Sequence, residues 1–274
     1  MNRTPVPITI TIALHMLKSK RRSILVWGIS ITSLASVTAL FFPYVEAMGN
    51  DLDQMLASLP ESAQRAFLGG ATDHSSPEGY FQIELFALMA PALIGIFAIN
   101  LGSAAIAGEE AARTLPLLLS APVSRSQVII GKFIGLILAA GIVCAGLYFG
   151  VQAGVLVSGI DLAWDKLLAA TLNVMFFGLS LGTLALAIGC RTGNTAASQG
   201  LTALLFVAGY LQFTFIPLID EDNWLYEVSI YSLYIVNEPL LKGLQILDVT
   251  PMLLIISITV MSAIASFRKR DLHH

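Results

Sequence analysis

The residues that could carry chemistry in this chain are concentrated in one short polar stretch between two long apolar runs. Glu109 and Glu110 stand side by side there, and Arg113 follows three residues later. Charges on such a surface favour one orientation and one partner over others. Apolar side chains follow at Leu115, Leu117 and Leu118. The stretch at residues 109–119 is therefore predicted to be a docking element, a segment that recognises another protein.

Local signals predict the boundaries of this docking element. Gly108 suits the left-handed turn that ends a helix, and the carboxylates after it complement the dipole of a new helix start. Pro116 lacks an N–H group, so a regular helix is expected to end or bend near Thr114. Ser124 and Gln127 have the spacing of a capping box that opens the next apolar run. The sequence thus predicts a short helix, bounded at both ends.

A catalytic role finds no support in the residue types. The segment around Ser180 matches the Gly-x-Ser-x-Gly pattern of a nucleophile elbow, but no histidine lies at membrane depth to activate the serine. The four histidines are His15, His74, His273 and His274. The chain also lacks the Gly-x-x-x-x-Gly-Lys-Ser/Thr loop that binds nucleotide phosphates. We therefore expect neither an enzyme nor a cofactor or metal site in this chain.

The composition is typical of an integral membrane protein. Hydrophobic residues make up 56% of the chain and charged residues 12%, with a mean hydropathy of +0.78. Six uncharged runs approach or exceed the roughly 18 to 20 residues that cross a bilayer. They are residues 24–45, 85–107, 133–160, 167–190, 192–219 and 249–267. The strand-type alternation of a membrane barrel is absent. These features predict an all-α fold with six transmembrane helices.

The basic residues predict the orientation of the helices. With the N-terminus in the cytosol, 12 of the 15 lysines and arginines fall on the cytosolic side. The three on the other side are Arg65, Lys166 and Lys242. This bias satisfies the positive-inside rule and places both termini in the cytosol. The net charge of -3 combines a basic inner face with an acidic outer face, and we expect no nucleic-acid partner.

Three parts are expected along the chain. Residues 1–22 form a basic, amphipathic N-terminal segment, residues 23–267 a six-helix transmembrane domain, and residues 268–274 a basic tail. In the first part Ile10, Leu14 and Leu17 share one helical face, which suits an interfacial helix facing anionic headgroups. A plain stop signal that orients the first helix explains the same residues equally well.

Polar residues within the apolar runs are candidates for lining a substrate pathway. Such groups are costly in lipid unless another helix or a cavity satisfies them. The candidates are Asn100, Gln152, Asn173 and Gln212. The glycines of the third run, by contrast, predict tight helix packing. They lie at positions 131, 135, 146, 150 and 154. The runs contain no acidic, basic or histidine side chain at depth, which disfavours an ion-driven carrier or channel.

The pattern Gly-Glu-Glu-x-x-x-Thr-Leu-x-Leu-Leu-Leu-Ser-x-Pro-Val-Ser-Arg, followed by Gly131-Lys132, resembles a loop of the type-2 ABC exporter permeases. In that family the loop lies between the second and third of six helices and carries a coupling helix that rests in a groove of a separate ATPase. The resemblance implies that Leu115, Leu117 and Leu118 fill this groove. Many members have glycine just before the Thr-Leu pair. This chain has Arg113 there, which favours a continuous helix.

The resemblance implies partners, location and one further structural feature. The partners are two cytosolic ATPase subunits, which would bind ATP and Mg²⁺, and a second permease subunit that is either a copy or a relative. The location is a bacterial plasma membrane. Residues 228–243 resemble an outer re-entrant segment before the last helix, although their aromatic residues also suit an interfacial belt.

The function expected from these residues is that of an exporter permease for an amphipathic cargo such as a drug, peptide or lipid-like molecule. The alternative is a membrane sensor or assembly subunit that uses the same docking element to hold a cytosolic partner. Polar residues lining a pathway at depth would distinguish the first from the second.

Overall fold

The computed structural model describes residues 7–58, 76–219, 224 and 228–270. Within these ranges the chain is helical and has no strand, and six helices are long and apolar enough to cross a membrane. The candidate spans are Ile8–Met48, Pro77–Ala111, Arg125–Ser158, Trp164–Thr192, Thr195–Ile216 and Ile246–Lys269. The predicted all-α membrane fold with six transmembrane helices is confirmed.

Helices are numbered in chain order. They are α1 (Ile8–Ala57), α2 (Pro77–Phe81), α3 (Met89–Ser103), α4 (Glu109–Ala111), α5 (Leu115–Leu119), α6 (Arg125–Ser158), α7 (Trp164–Thr192), α8 (Thr195–Ile219), α9 (Ile230–Ile235), α10 (Pro239–Lys242) and α11 (Ile246–Lys269). Two π-helical segments, Gln82–Ala87 and Ala104–Gly108, join α2, α3 and α4 into the second span. We call the end of the bundle that carries α4 and α5 the inner end and the opposite end the outer end.

The fourth span, α7, is the centre of the bundle. It packs against α3, α6, α8 and α11, and most of its side chains are buried. The approach to α3 is so close that a Cβ atom added to Gly102 would lie 2.0 Å from the carbonyl oxygen of Gly182. Only glycine fits at position 102, because a side chain there would collide with the backbone of α7.

α1 and α6 run parallel and pack along a line of glycines. A Cβ atom added to Gly131 would lie 2.8 Å from the Cβ atom of Ile12, and one added to Gly154 would lie 2.4 Å from that of Ala39. Both distances are shorter than van der Waals contact, so larger residues are excluded. The prediction that these glycines serve tight packing is confirmed.

The seam includes the first turns of both helices. Gly131 lies beside Ile12 and Gly135 beside Met16, an offset of 119 positions in each case (131 − 12 and 135 − 16). The first turns of α1 and α6 thus lie side by side.

α1 continues without a break through residue 22. Its 50 residues span about 75 Å at 1.5 Å per residue, against about 30 Å of hydrocarbon. The described part of the expected N-terminal segment is thus the start of the first spanning helix, packed on α6. Its position on the membrane surface stays a prediction. Residues 1–6 and 271–274 of the two predicted terminal segments lie outside the described residues.

At the outer end, α9 packs on the second span, and one of its tyrosines compensates for a proline there. Pro91 has no N–H group, so the carbonyl of Ala87, four residues earlier, lacks its helical donor. The Tyr231 hydroxyl donates to this carbonyl oxygen at 2.5 Å, and the Tyr234 hydroxyl donates to that of Phe86 at 2.6 Å. Burial raises the pKa of Tyr231 above its usual range, so the hydroxyl stays protonated and remains a donor. Insertion of α9 and α10 into the bilayer stays a prediction.

Candidate docking site

The docking element is two short helices joined by a sharp turn at Arg113. The second span does not end at Gly108, as the sequence predicted, because Gly108 has helical angles (φ −69°, ψ −36°) and the helix continues to Ala111. The left-handed residue is Arg113, with φ 57°. The Thr114 N–H donates to the Glu109 carbonyl and the Arg113 N–H to the Glu110 carbonyl, both at 2.9 Å. This pair of bonds is a Schellman motif with arginine in the place where glycine is usual.

The expectation that Arg113 continues the helix is therefore wrong. A left-handed conformation costs an arginine about 1–2 kcal/mol, so other contacts must hold the turn. Pro116 favours it from the other side, since proline is well tolerated in the first turn of α5 and poorly tolerated inside a longer helix. The predicted end of the regular helix near Thr114 is confirmed.

The three leucines predicted to fill a partner's groove have different surroundings. Leu115 is 1% exposed and packs within the chain's own core, whereas Leu117 is 73% exposed and Leu118 is half-buried. Leu117 is thus the apolar side chain that the docking element presents outward. The role of all three in docking stays a prediction.

Glu109 forms an ion pair with Lys132 on α6. The ammonium group contacts the Glu109 carboxylate directly, and the Lys132 side chain is only 2% exposed. A buried lysine is costly unless it is paired, so Glu109 supplies the charge that Lys132 requires. The contact ties the start of the docking element to the third span.

Glu110 forms a second ion pair, with Arg270 after the end of α11. The guanidinium donates to both carboxylate oxygens, at 2.7 and 2.9 Å, in the two-pronged geometry that arginine favours with carboxylates. About a quarter of each side chain is exposed. Both glutamates that were predicted to meet a partner are therefore engaged by cations of the same chain.

Arg125 lies beside these two ion pairs at the inner end. We call the group of Glu109, Glu110, Arg125, Lys132 and Arg270 the charge junction. Its guanidinium donates to the carbonyl oxygens of Phe267, at 2.8 Å, and of Arg270, at 2.5 Å. The same group lies 5.6 Å from the centre of the Phe267 ring, within the range of a cation–π contact. Sequence reasoning missed Lys132, Arg125 and Arg270 as members of one site. The available local signal was a lysine that begins an otherwise apolar run.

A cavity of about 680 Å³ separates the docking element from α1. Side chains of α1 line one wall and the docking element lines the other, with Lys132 between them. His15 and Lys20 contribute from α1, and Thr114 and Leu117 from the docking element. The exposed leucine is thus at the rim of an open, mixed polar and apolar cleft.

The four polar pathway candidates do not converge on one place in the chain. Asn173 is fully buried and joins α7 to α9, whereas Gln152 is 7% exposed and its side-chain oxygen has no partner among the described residues. Gln212 is half-buried, with its amide 3.5 Å from the carbonyl of Val228. Asn100 faces the outside of the bundle.

Asn100 has a neighbour that sequence reasoning missed. The side-chain amide of Gln199 on α8 donates to the Asn100 side-chain oxygen at 2.8 Å, at an exposed position. Asn100 lies nine residues before Glu109, about 13 Å from it along the helix. The second and fifth spans thus share a polar pair on the exposed side of the bundle.

The fold defines a class: a multi-pass α-helical membrane protein with two short helices between its second and third spans. The family model described as ABC-2 family transporter protein matches residues 10–272, nearly the whole chain. The chain belongs to this family, which confirms the resemblance seen in the docking element. No match is found among curated proteins.

Proposed function

We propose that the chain is the permease subunit of an ATP-driven exporter. Two such subunits, identical or related, form the substrate pathway, and two cytosolic ATPase subunits bind ATP and Mg²⁺. Membership of the ABC-2 family supports the permease role. The lack of a phosphate-binding loop in the sequence supports the assignment of ATP hydrolysis to a partner. The proposed location is a bacterial plasma membrane.

The observation that carries the proposal is the geometry of the docking element. It lies between the second and third spans, is tied to the bundle by two ion pairs, and presents Leu117 beside an open cleft. Burial of a leucine by a partner contributes about 2 kcal/mol. The ion pairs hold the element to the bundle, so a partner that moves it also pulls on the spanning helices.

The proposed mechanism is a rigid-body switch. ATP binding closes the two ATPase subunits, the docked elements move with them, and the paired bundles change from an inward-open to an outward-open arrangement. The energy for this change comes from the difference in the partner's affinity for the two arrangements.

The Asn100–Gln199 pair supports a pathway between two subunits. A polar pair on the surface of spanning helices is unfavourable against lipid but suits a water-filled pathway or a second subunit. A sensor or assembly subunit has no need of such a pair. Modest polarity of this kind suits an amphipathic cargo such as a drug, a peptide or a lipid-like molecule.

The test is affinity purification of the tagged chain from its native host in mild detergent. The wild-type chain is expected to recover a P-loop ATPase at close to one-to-one, and Leu117→Asp to lower this recovery by about tenfold or more, since 1.4 kcal/mol of lost binding has that effect. Ala121→Asp is the matched control, because it adds the same charge at a nearby exposed position and keeps the leucine. Recovery of no ATPase, or equal recovery by both variants, would contradict the proposal.

A further inference from the structure

We infer that Arg270 is a positioning residue that fastens the docking element to the inner ends of α7 and α11. A displacement of the element by its partner then reaches these two central spans. The inference deepens the proposed function and rests on it. It assigns Glu110 to a contact inside the chain and leaves contact with the partner to Leu117.

The first support is the two-pronged contact of Arg270 with Glu110. Two parallel N–H···O bonds fix both the distance and the relative angle of the two groups. A single lysine contact would leave the angle free. The docking element is thus joined to the end of α11 by a contact that transmits rotation as well as translation.

The second support is the space that α7 leaves for the guanidinium. Gly193 ends α7 with φ 65°, and a Cβ atom added to it would lie 2.1 Å from an Arg270 nitrogen. The same guanidinium donates to the Cys190 carbonyl oxygen at 3.4 Å, at the negative end of the α7 dipole. Arg270 therefore lies between the docking element and the last turn of the central span.

The third support is the way in which the backbone of Arg270 is held. Arg125, in the first turn of α6, donates to the Arg270 carbonyl and to the Phe267 carbonyl in the last turn of α11. The backbone of Arg270 is thus held by α6 and α11, independently of the contact between its side chain and Glu110.

The other ion pair of the docking element reaches a different helix. Lys132 makes one contact with Glu109 and belongs to α6, which packs mainly on α1. Movement transmitted through Lys132 reaches α6 and α1 only, whereas movement transmitted through Arg270 also reaches α7 and α11, with α6 as a shared neighbour through Arg125. Substitution of Arg270 should therefore impair the transmission of movement to the spans without impairing the binding of the ATPase.

The experiment compares Arg270→Glu, Glu110→Arg and the charge-swapped double variant in the full chain. Three quantities are measured: recovery of the co-purifying ATPase, ATP hydrolysis of the reconstituted complex relative to the ATPase alone, and the thermal unfolding midpoint. Lys269→Glu is the matched control, because Lys269 is the exposed neighbour of Arg270. Arg270→Lys keeps the charge but loses the two-pronged geometry.

Each single charge reversal is expected to keep the ATPase bound while permease-dependent hydrolysis falls by about tenfold, because a reversal replaces the ion pair with two like charges and so costs more than the loss of the pair alone. The double variant should restore hydrolysis to within about threefold of the wild type, and Arg270→Lys should lie between. Lys269→Glu should have no effect. A stabilising role alone would lower the unfolding midpoint and would not separate hydrolysis from ATPase recovery.

Two outcomes would overturn the inference and leave the proposed function intact. In one, Glu110→Arg loses the ATPase whereas Arg270→Glu keeps both ATPase and hydrolysis, which would mean that Glu110 contacts the partner directly. In the other, the double variant stays as impaired as the single variants. Recovery of no ATPase by the wild-type chain would overturn the proposed function, and the inference with it.

Discussion

The two ends of the bundle are held together by different kinds of interaction. At the outer end, the Asn173 amide donates to the Tyr234 carbonyl at 3.0 Å and its oxygen accepts from Asn237 at 3.1 Å, all between neutral groups. At the inner end, the contacts are ionic, and Glu110 and Arg270 are about a quarter exposed. Buried neutral hydrogen bonds are insensitive to salt, whereas exposed ion pairs are weak and screened. The comparison indicates that the Glu110–Arg270 contact is weaker and more sensitive to salt than the contacts of Asn173.

The largest effect is expected from Asn173→Leu at the outer end. The substitution leaves the Tyr234 carbonyl without its donor in a buried place, which should destabilise the fold by about 2 kcal/mol. Asn237 keeps the Leu233 and Asp248 carbonyls as acceptors. Thermal unfolding in detergent measures this loss. Asn100→Leu is the control, because Asn100 is exposed, and it should cost less than about 1 kcal/mol. Equal losses of stability for the two variants would contradict the claim that the buried amide of Asn173 stabilises the fold more than the exposed amide of Asn100.

An intermediate effect is expected from Tyr231→Phe, which removes the donor to the Ala87 carbonyl. The cost should be about 1 kcal/mol, and it should shrink in a Pro91→Ala background, where an N–H group returns to that carbonyl. A double-mutant cycle of unfolding free energies measures this coupling. Strict additivity of the two substitutions would show that the tyrosine does not compensate for the proline.

A smaller and salt-dependent effect is expected from Glu110→Gln at the inner end. Loss of the partly exposed pair with Arg270 should cost about 0.5 kcal/mol at low salt and close to nothing at about 1 M salt, where the Debye length is about 3 Å. The cost of Asn173→Leu should be the same in both solutions. If salt changed both costs equally, the two ends would not differ in the way described.

A small effect of the opposite sign, a gain in stability, is expected from Arg113→Gly in the turn of the docking element. Glycine adopts the left-handed conformation without steric cost, so the fold should gain a few tenths to about 1 kcal/mol. The measurement is again thermal unfolding, with Arg113→Ala as the comparison, which should bring no such gain. A loss of stability with glycine would mean that the Arg113 side chain itself holds the turn.

The sequence predicted the fold because length and apolarity alone decide which segments cross a bilayer. It also predicted a break in the apolar pattern at residues 109–119, where the structure has two short helices; the docking role of these residues stays a prediction. The sequence predicted the turn at Gly108, but the structure has it at Arg113. The prediction followed backbone propensity, which favours glycine, whereas the packed structure imposes the left-handed angle on arginine.

The charge junction could not be predicted from the sequence. Glu110 and Arg270 are 160 positions apart, and Glu109 and Lys132 are 23 apart, so no local spacing relates the partners. Asn173 illustrates a similar limit, because hydropathy indicates that an amide lies at depth but not which helix it faces. In both cases the partner is determined by tertiary packing.

The most direct test of the central claim is photo-crosslinking from position 117. A photoreactive residue in place of Leu117 at the inner end is compared with one in place of Val157, an equally exposed apolar residue near the outer end. Cross-links to a P-loop ATPase from position 117, and none from position 157, are the expected result. Absence of any ATPase cross-link from position 117, in cells where position 157 gives the same products, would contradict the assignment of residues 109–119 as the docking element.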